Sequence, residues 1–207
     1  PGILPPFPHL SPYPSSSLPP LTADDTQLLS TGRPLRKQVS LPSPDGTTID
    51  TAMAVFEFPP SGPTAATIIG TIIDYSNYIN MVPKTLLSSV YFSPSPHLPS
   101  VPHYEDLVAS LLSTSHWSGP PTIDNLNCTM SVKPLYPLPP ALTFHISHKI
   151  SISSSSSNAV TGGTVTWRLD YSLPSDLLDS CGFWYVETLP KNGGVRVYYS
   201  VRASEAG

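Results

Sequence analysis

Between Thr48 and Phe92 the hydrophobic period of the chain changes twice, and few folds accommodate that order. The run Ile49-Asp50-Thr51-Ala52-Met53-Ala54-Val55-Phe56-Glu57-Phe58 alternates and ends on Pro59-Pro60. Alternation puts Ala52, Ala54, Phe56 and Phe58 on one face of a strand and Thr51, Met53 and Val55 on the other. Both faces are fairly apolar, so strand 48–58 is expected to be covered on both sides. From Pro63 to Ile73 the apolar residues Ala65, Ile68, Ile69, Ile72 and Ile73 recur at helical spacing. Isoleucine and threonine also suit a strand, but Pro63 after Gly62 is placed for a first helical position and decides for helix. The helix breaks into Asp74-Tyr75-Ser76-Asn77-Tyr78 before Val82-Pro83, and Lys84 to Phe92 is extended again. Strand, two short helices and strand predict a curved sheet wrapped on helices, with an apolar cavity between them.

The later half of the chain supports that reading. From Asn125 onward the pattern is extended, with strands expected at about 126–134, 141–153, 163–173, 181–189 and 194–203. Gly162-Gly163 and Asn192-Gly193-Gly194 read as hairpin turns, and the serine run 153–157 as a loop. Residues 93–121 form an insertion dense in proline and serine. Within it, His103 to Ser113 carries Tyr104, Leu107, Val108, Leu111 and Leu112 on one helical stripe, with Glu105 and Asp106 in its first turn. Upstream, residues 1–20 hold eight prolines interrupted by Ile3, Leu4, Phe7, Leu10, Tyr13 and Leu18. That composition favours extended polyproline conformations and builds no core. Residues 1–38 are therefore read as a Pro-rich arm and 39–207 as the domain. Within these stretches Thr22 to Leu29 is expected to form a turn or two of helix capped by Thr22 or Asp24. Val39 to Leu41 is a short extended piece, and Pro42 to Gly46 a turn.

Composition excludes several function classes. Only 12% of the 207 residues are charged, and 27 prolines and many serines take their place. A formal charge of −4 and a pI near 5.8 provide no basic face for nucleic acid. No apolar run approaches the roughly 20 residues that span a bilayer, and no signal peptide is visible. An intracellular place is expected, the cytoplasm or an organelle reached with a targeting peptide since removed, because the chain starts at proline. Cys128 and Cys181 are expected to be free, buried thiols. The glycosylation pattern Asn127-Cys128-Thr129 is read as chance.

Catalytic and metal motifs are scarce. His145 and His148 sit at i and i+3 of a strand and so on opposite faces, which prevents them from chelating one ion. His97, His103 and His116 lie in or beside the proline-rich insertion, with no zinc-type spacing. Asp170, Asp176 and Asp179 flank a strand end and read as turn and cap residues. No glycine-rich phosphate loop and no serine elbow is present, so no cofactor and no metal are expected.

The aromatic residues are the better lead. Val165, Trp167, Leu169 and Tyr171 share one face, as do Val195, Val197, Tyr199 and Val201, and as do Phe144, Ile146 and His148; Phe183 and Tyr185 oppose Trp184 and Val186. Such faces line a cavity for a flat or long apolar ligand, or simply fill a core.

Two segments carry a family resemblance. Phe56-Glu57-Phe58-Pro59-Pro60, Ile72-Ile73-Asp74-Tyr75-Ser76-Asn77-Tyr78 and Val82-Pro83 resemble the opening of START-like, Bet v 1-like proteins of the polyketide cyclase/dehydrase and lipid-transport type. Val165-Thr166-Trp167-Arg168-Leu169, Gly182 to Val186 and Gly193 to Val201 are similar to the last three strands of that superfamily. The two matches cover about half the chain, and the motifs are structural. The resemblance implies an α+β helix-grip fold in which a curved antiparallel sheet carries two short helices after its first strand. The family's long C-terminal helix has no counterpart before Gly207; either the sequence is truncated there, or the helix near 103–113, the leader or a partner protein covers the groove. The function implied is binding of a lipid, isoprenoid or polyketide between sheet and helices. The candidate ligand contacts are Tyr75, Tyr78, Phe144, His148, Trp167, Tyr171 and Tyr199, and His148, Tyr171 and Tyr199 would hold polar roles in an enzyme. The alternatives are a polyketide cyclase-type enzyme, which would act by holding a reactive chain in one folded shape, and a non-catalytic subunit docking through its arm or open groove.

Overall fold

The computed structural model describes residues 18–42, 48–92, 104–133 and 141–205. Eight strands form one curved antiparallel sheet: β1 (Leu35–Pro42), β2 (Thr48–Phe58), β3 (Thr85–Phe92), β4 (Thr122–Val132), β5 (Leu142–Ser154), β6 (Val160–Leu169), β7 (Leu177–Thr188) and β8 (Val195–Glu205). Their order across the sheet is β1-β2-β8-β7-β6-β5-β4-β3. From β3 to β8 each strand pairs with the next in sequence, the β3–β4 connection carrying a helix, and the crossover from β2 to β3 carries α2 (Ala65–Ile73), a 3-10 turn (Tyr75–Asn77) and α3 (Tyr78–Met81). Two further helices are α1 (Ala23–Ser30) and α4 (Tyr104–Ser113).

Alternation along each strand creates two cores. On one face, Ile123, Leu126, Cys128, Ile146, Ile150, Ile152, Val165, Leu169, Val186, Val195 and Val197 meet α2 and α4. Ile69 and Ile73 of α2 and Leu111 of α4 are fully enclosed there, each contributing about 2 kcal/mol of burial. On the other face, Met53, Val55, Phe183 and Tyr198 meet Leu29 of α1 and Leu35. β2 is covered by α1 and its core on the face of Met53 and Val55. On the other face only Phe56 and Phe58 pack against the helix-side core and Ala52 is exposed, so the expected cover on both sides holds for the second half of the strand alone.

Local chemistry explains the ends of these elements. α2 starts at Ala65 with Thr64 as its cap, the Thr64 hydroxyl accepting from the Thr67 amide at 3.2 Å, so Pro63 precedes the helix and does not occupy its first position. α1 starts in a capping box in which Thr22 and Asp25 satisfy each other's backbone amides. Gly70 lets α4 press close: a Cβ there would stand 3.0 Å from Leu111 Cβ.

Several expectations shift. Gly162 and Gly163 are inside β6, not in a turn; Gly163 pairs with Ile152 and Val186, and a Cβ on it would meet Ser151 O at 2.5 Å and Ile69 Cδ1 at 2.9 Å. These glycines admit close backbone approach, and the β5–β6 reversal falls at Ser155–Asn158, where Asn158 adopts φ 62. Asn192-Gly193-Gly194 does turn the chain, with Gly193 at φ 72 and Asn192 Oδ1 accepting from the Gly194 amide. The short piece at 39–41 is a full strand, β1, which spans the boundary at residue 38, and α1 packs on the same sheet. β6 ends at Leu169, so Tyr171 stands in the following turn instead of on the strand. Residues 1–17, the turn at 43–46, and His97 and His103 lie outside the described residues.

Candidate functional site

The strand register lays out the helix-bearing face as rows running across the sheet. One row is Arg36, Ala54, Tyr199, Trp184, Val165 and Ile150. The next is Gln38, Ala52, Val201, Gly182, Trp167 and His148. Read from β5 toward β1, the first row passes from Ile150 and Val165 through Trp184 and Tyr199 to Ala54, and each row reaches an alanine on β2 and a polar residue on β1. α2 rests on β6 and β7, and α4 packs on α2. Val195, Val197, Phe56 and Phe58 join that core, and among the described residues the face is open over the Arg36–Gln38 part of β1, Ala52–Ala54 of β2 and Tyr199–Val201 of β8.

A groove of about 480 Å3 lies in that open part, lined by Arg36, Gln38, Ala52, Ala54, Tyr199 and Val201, with Lys37 and Met53 also contributing. Its floor is low because residues 52 and 54 are alanines. One wall is aromatic: the Tyr199 ring lies 4.2 Å from that of Trp184 and 6.0 Å from that of Trp167. Trp167 fits because residue 182 has no side chain; a Cβ on Gly182 would meet Trp167 Cζ2 at 2.3 Å. The volume falls within the range of small-molecule sites, and the apolar lining with a few polar groups matches their usual make-up. Burial pushes the Tyr199 phenol up, so it stays neutral and serves as a hydrogen-bonding group.

The residues at the helix-covered end are placed differently. Tyr75 is 2% exposed and His148 3%, and their rings stack at 4.3 Å. His148 Nδ1 lies 3.0 Å from the Leu126 carbonyl oxygen, which can only accept, so Nδ1 carries the proton. Burial lowers the His148 pKa to about 4, against the opposing effect of that carbonyl. Tyr78 donates to the Ile72 carbonyl and meets Tyr75 edge-on at 5.2 Å. Tyr104 donates to Ile73 O at 2.6 Å, and burial pushes its phenol up to about 12. Burial also raises the Tyr75 phenol, and its hydroxyl has no hydrogen-bond partner among the described residues. Phe144 packs partly buried against the same core. Tyr171 is 45% exposed and donates to Asp179 at 2.6 Å, outside both clusters.

The structure therefore divides the seven sequence-selected residues among three places. Tyr75, Tyr78, Phe144 and His148 belong to the packed end. Tyr199 lines the groove and Trp167 stands behind it. Tyr171 is at a turn. Arg36, Gln38, Ala52, Ala54, Trp184 and Val201 were not among the sequence candidates; the alanine alternation of β2 was the signal for two of them.

The remaining chemistry is structural. His145 bonds Thr129 on the face opposite His148. Asp170 accepts from Ser172 and Tyr91, and Asp176 from the Thr143 amide. Among the described residues no group of histidine, cysteine and acidic side chains is arranged to hold a metal. Asn127 is buried within β4, which closes it to glycosylation in the folded chain. No described helix is long and apolar enough to cross a membrane.

The order of elements and the sheet topology bear out the helix-grip arrangement implied by the START-like resemblance. No protein-family model matches the chain, and no curated protein matches it. Among solved structures, it is similar to the crystal structure of human STARD10 with a TM-score of 0.46 and 8% identity, over 94% of this chain and 72% of that one.

Proposed function

We propose that this protein binds an apolar small molecule of the lipid, isoprenoid or polyketide class, held in the groove over β1, β2 and β8. The observation that carries the reading is the groove itself: about 480 Å3 over Ala52 and Ala54, walled by Tyr199 and open on the helix-bearing face. Tyr199, Trp184 and Trp167 are the proposed contacts for a flat or extended apolar body. Tyr75, Tyr78, Phe144 and His148 are proposed to close the deep end as core. Binding is preferred to cyclase-type catalysis because the groove lining holds no histidine and no carboxylate, and His148 is enclosed in the core away from it.

Filling the groove tests this. 9-Anthracenemethanol, a neutral flat probe, is expected to bind the wild-type protein and quench its tryptophan fluorescence. Ala54→Phe, which places a ring on the floor, is expected to abolish binding while the circular dichroism spectrum is retained. Probe binding that survives both Ala54→Phe and Ala52→Phe rejects the groove as the site.

A further inference from the structure

We infer that the groove selects amphipathic acids, with Arg36 holding the ligand's carboxylate while its apolar body lies over the alanines against Tyr199. This deepens the reading above and rests on it.

The argument starts from the sign of the lining. The chain carries a formal charge of −4, yet the groove is lined by two cations, Arg36 and Lys37, and by no carboxylate. The cations are not equivalent. Alternation along β1 turns Lys37 to the α1 face, where its Nζ pairs with Asp25 at 2.6 Å. Arg36 shares the groove face with Gln38 and has no ion-pair or hydrogen-bond partner among the described residues. Asp50, one register pair beyond Ala52 on β2, takes a hydrogen bond from Ser40 across the strand pair and does not line the groove.

Position supplies the polarity of the ligand. β1 is an edge strand of the sheet, so Arg36 stands at the solvent side of the groove, with Ala54 and then Tyr199 inward of it on the same row. Two inter-strand spacings separate Arg36 from Tyr199, roughly 10 Å of sheet. That span suits a ligand with a fused-ring or comparable apolar body and one acidic group at its outer end. Guanidinium presents a planar fork of donors that matches a carboxylate in two parallel hydrogen bonds, and the Gln38 amide on the same face adds another donor. A ligand with a hydroxyl in place of the acid keeps the apolar contacts and loses the charged pair.

The test compares 9-anthracenecarboxylate with 9-anthracenemethanol, which share one ring system and differ in the acid. Titrations are followed by tryptophan quenching at fixed ionic strength, with circular dichroism checking each variant's fold. The wild-type protein is expected to bind the carboxylate roughly fivefold more tightly, the upper end for a partly solvated ion pair. Arg36→Gln is expected to remove that preference, bringing the affinities for the two probes together, and Lys37→Gln, whose side chain is on the α1 face, to leave the preference intact. Equal binding of the two probes to the wild type, or a preference that persists in Arg36→Gln, overturns the assignment of Arg36 and leaves the apolar groove standing. Absence of binding by either probe overturns the groove reading and this inference with it.

Discussion

Gly182 of β7 and Trp167 of β6 are register partners, and the indole lies so close over the glycine that a Cβ would stand 2.3 Å from its Cζ2. The same Cβ would stand 2.4 Å from Ser200 O on β8. One missing side chain thereby seats the tryptophan that backs the groove's aromatic wall.

Gly182→Ala is expected to destabilise the fold by about 2 kcal/mol, within the usual range for overpacking. The backbone oxygen of Ser200 has no rotamer through which to yield, and displacement of the Trp167 ring disturbs its stacking on Tyr199. Equilibrium urea unfolding checks this, with a lower midpoint at unchanged slope expected.

Gly70 makes a similar case at the helix crossing. In a helix interior alanine is favoured over glycine by about 1 kcal/mol, but Leu111 Cβ, 3.0 Å from the missing Cβ, is anchored to the α4 backbone. Gly70→Val removes any ambiguity of sign. It is expected to cost about 3 kcal/mol and to raise amide exchange in α4, measured by hydrogen exchange.

His148 gives the fold a pH dependence. Its folded pKa of about 4 lies below the ordinary value of 6.5 because burial disfavours the charged ring. Between those values the unfolded chain takes up a proton that the folded chain refuses, so stability falls as pH drops from 6.5 toward 4 and is unaffected above 6.5. The contribution is about 3 kcal/mol over the whole window. His148→Phe, which keeps a ring against Tyr75, is expected to flatten the stability profile between pH 6.5 and 4.5 in urea titrations at stepped pH.

The thiols are expected to be silent in the native protein. Cys128 on β4 and Cys181 on β7 are free and buried, with two strands between them, a separation of about 14 Å that no disulfide spans. Burial raises both thiols, Cys181 to about 11. Ellman's reagent should react with neither until denaturant is added, and then with both.

What could be read in the sequence followed from periodicity. The two-residue period of β2 and the helical period of α2 were strong enough to place strand and helix, but cover on both faces of β2 was overcalled, because the small Ala52 and Ala54 read as core and instead floor an open groove. The Tyr104, Leu107, Val108 and Leu111 stripe located α4 inside a proline-rich insertion. Glycine misled at 162–163, because a tight turn and a close strand approach make the same demand for a missing Cβ, and only the partner strands tell them apart. β1 was read only as the short piece at 39–41, because Arg36, Lys37 and Gln38 in a row hide alternation when one face is groove and the other carries an ion pair. The groove was legible only in part for the same reason: Tyr199 and Trp167 announce themselves, whereas Ala52, Ala54 and Arg36 acquire meaning from register, which pairs residues more than a hundred positions apart.

The most direct test of the central claim is a two-dimensional amide NMR titration of the labelled protein with 9-anthracenemethanol. Shifts are predicted to concentrate at Arg36 to Gln38, Ala52 to Ala54 and Tyr199 to Val201, extending to Trp184. Shifts centred instead on Tyr75, Tyr78 and His148, or no shifts at saturating probe, would contradict it.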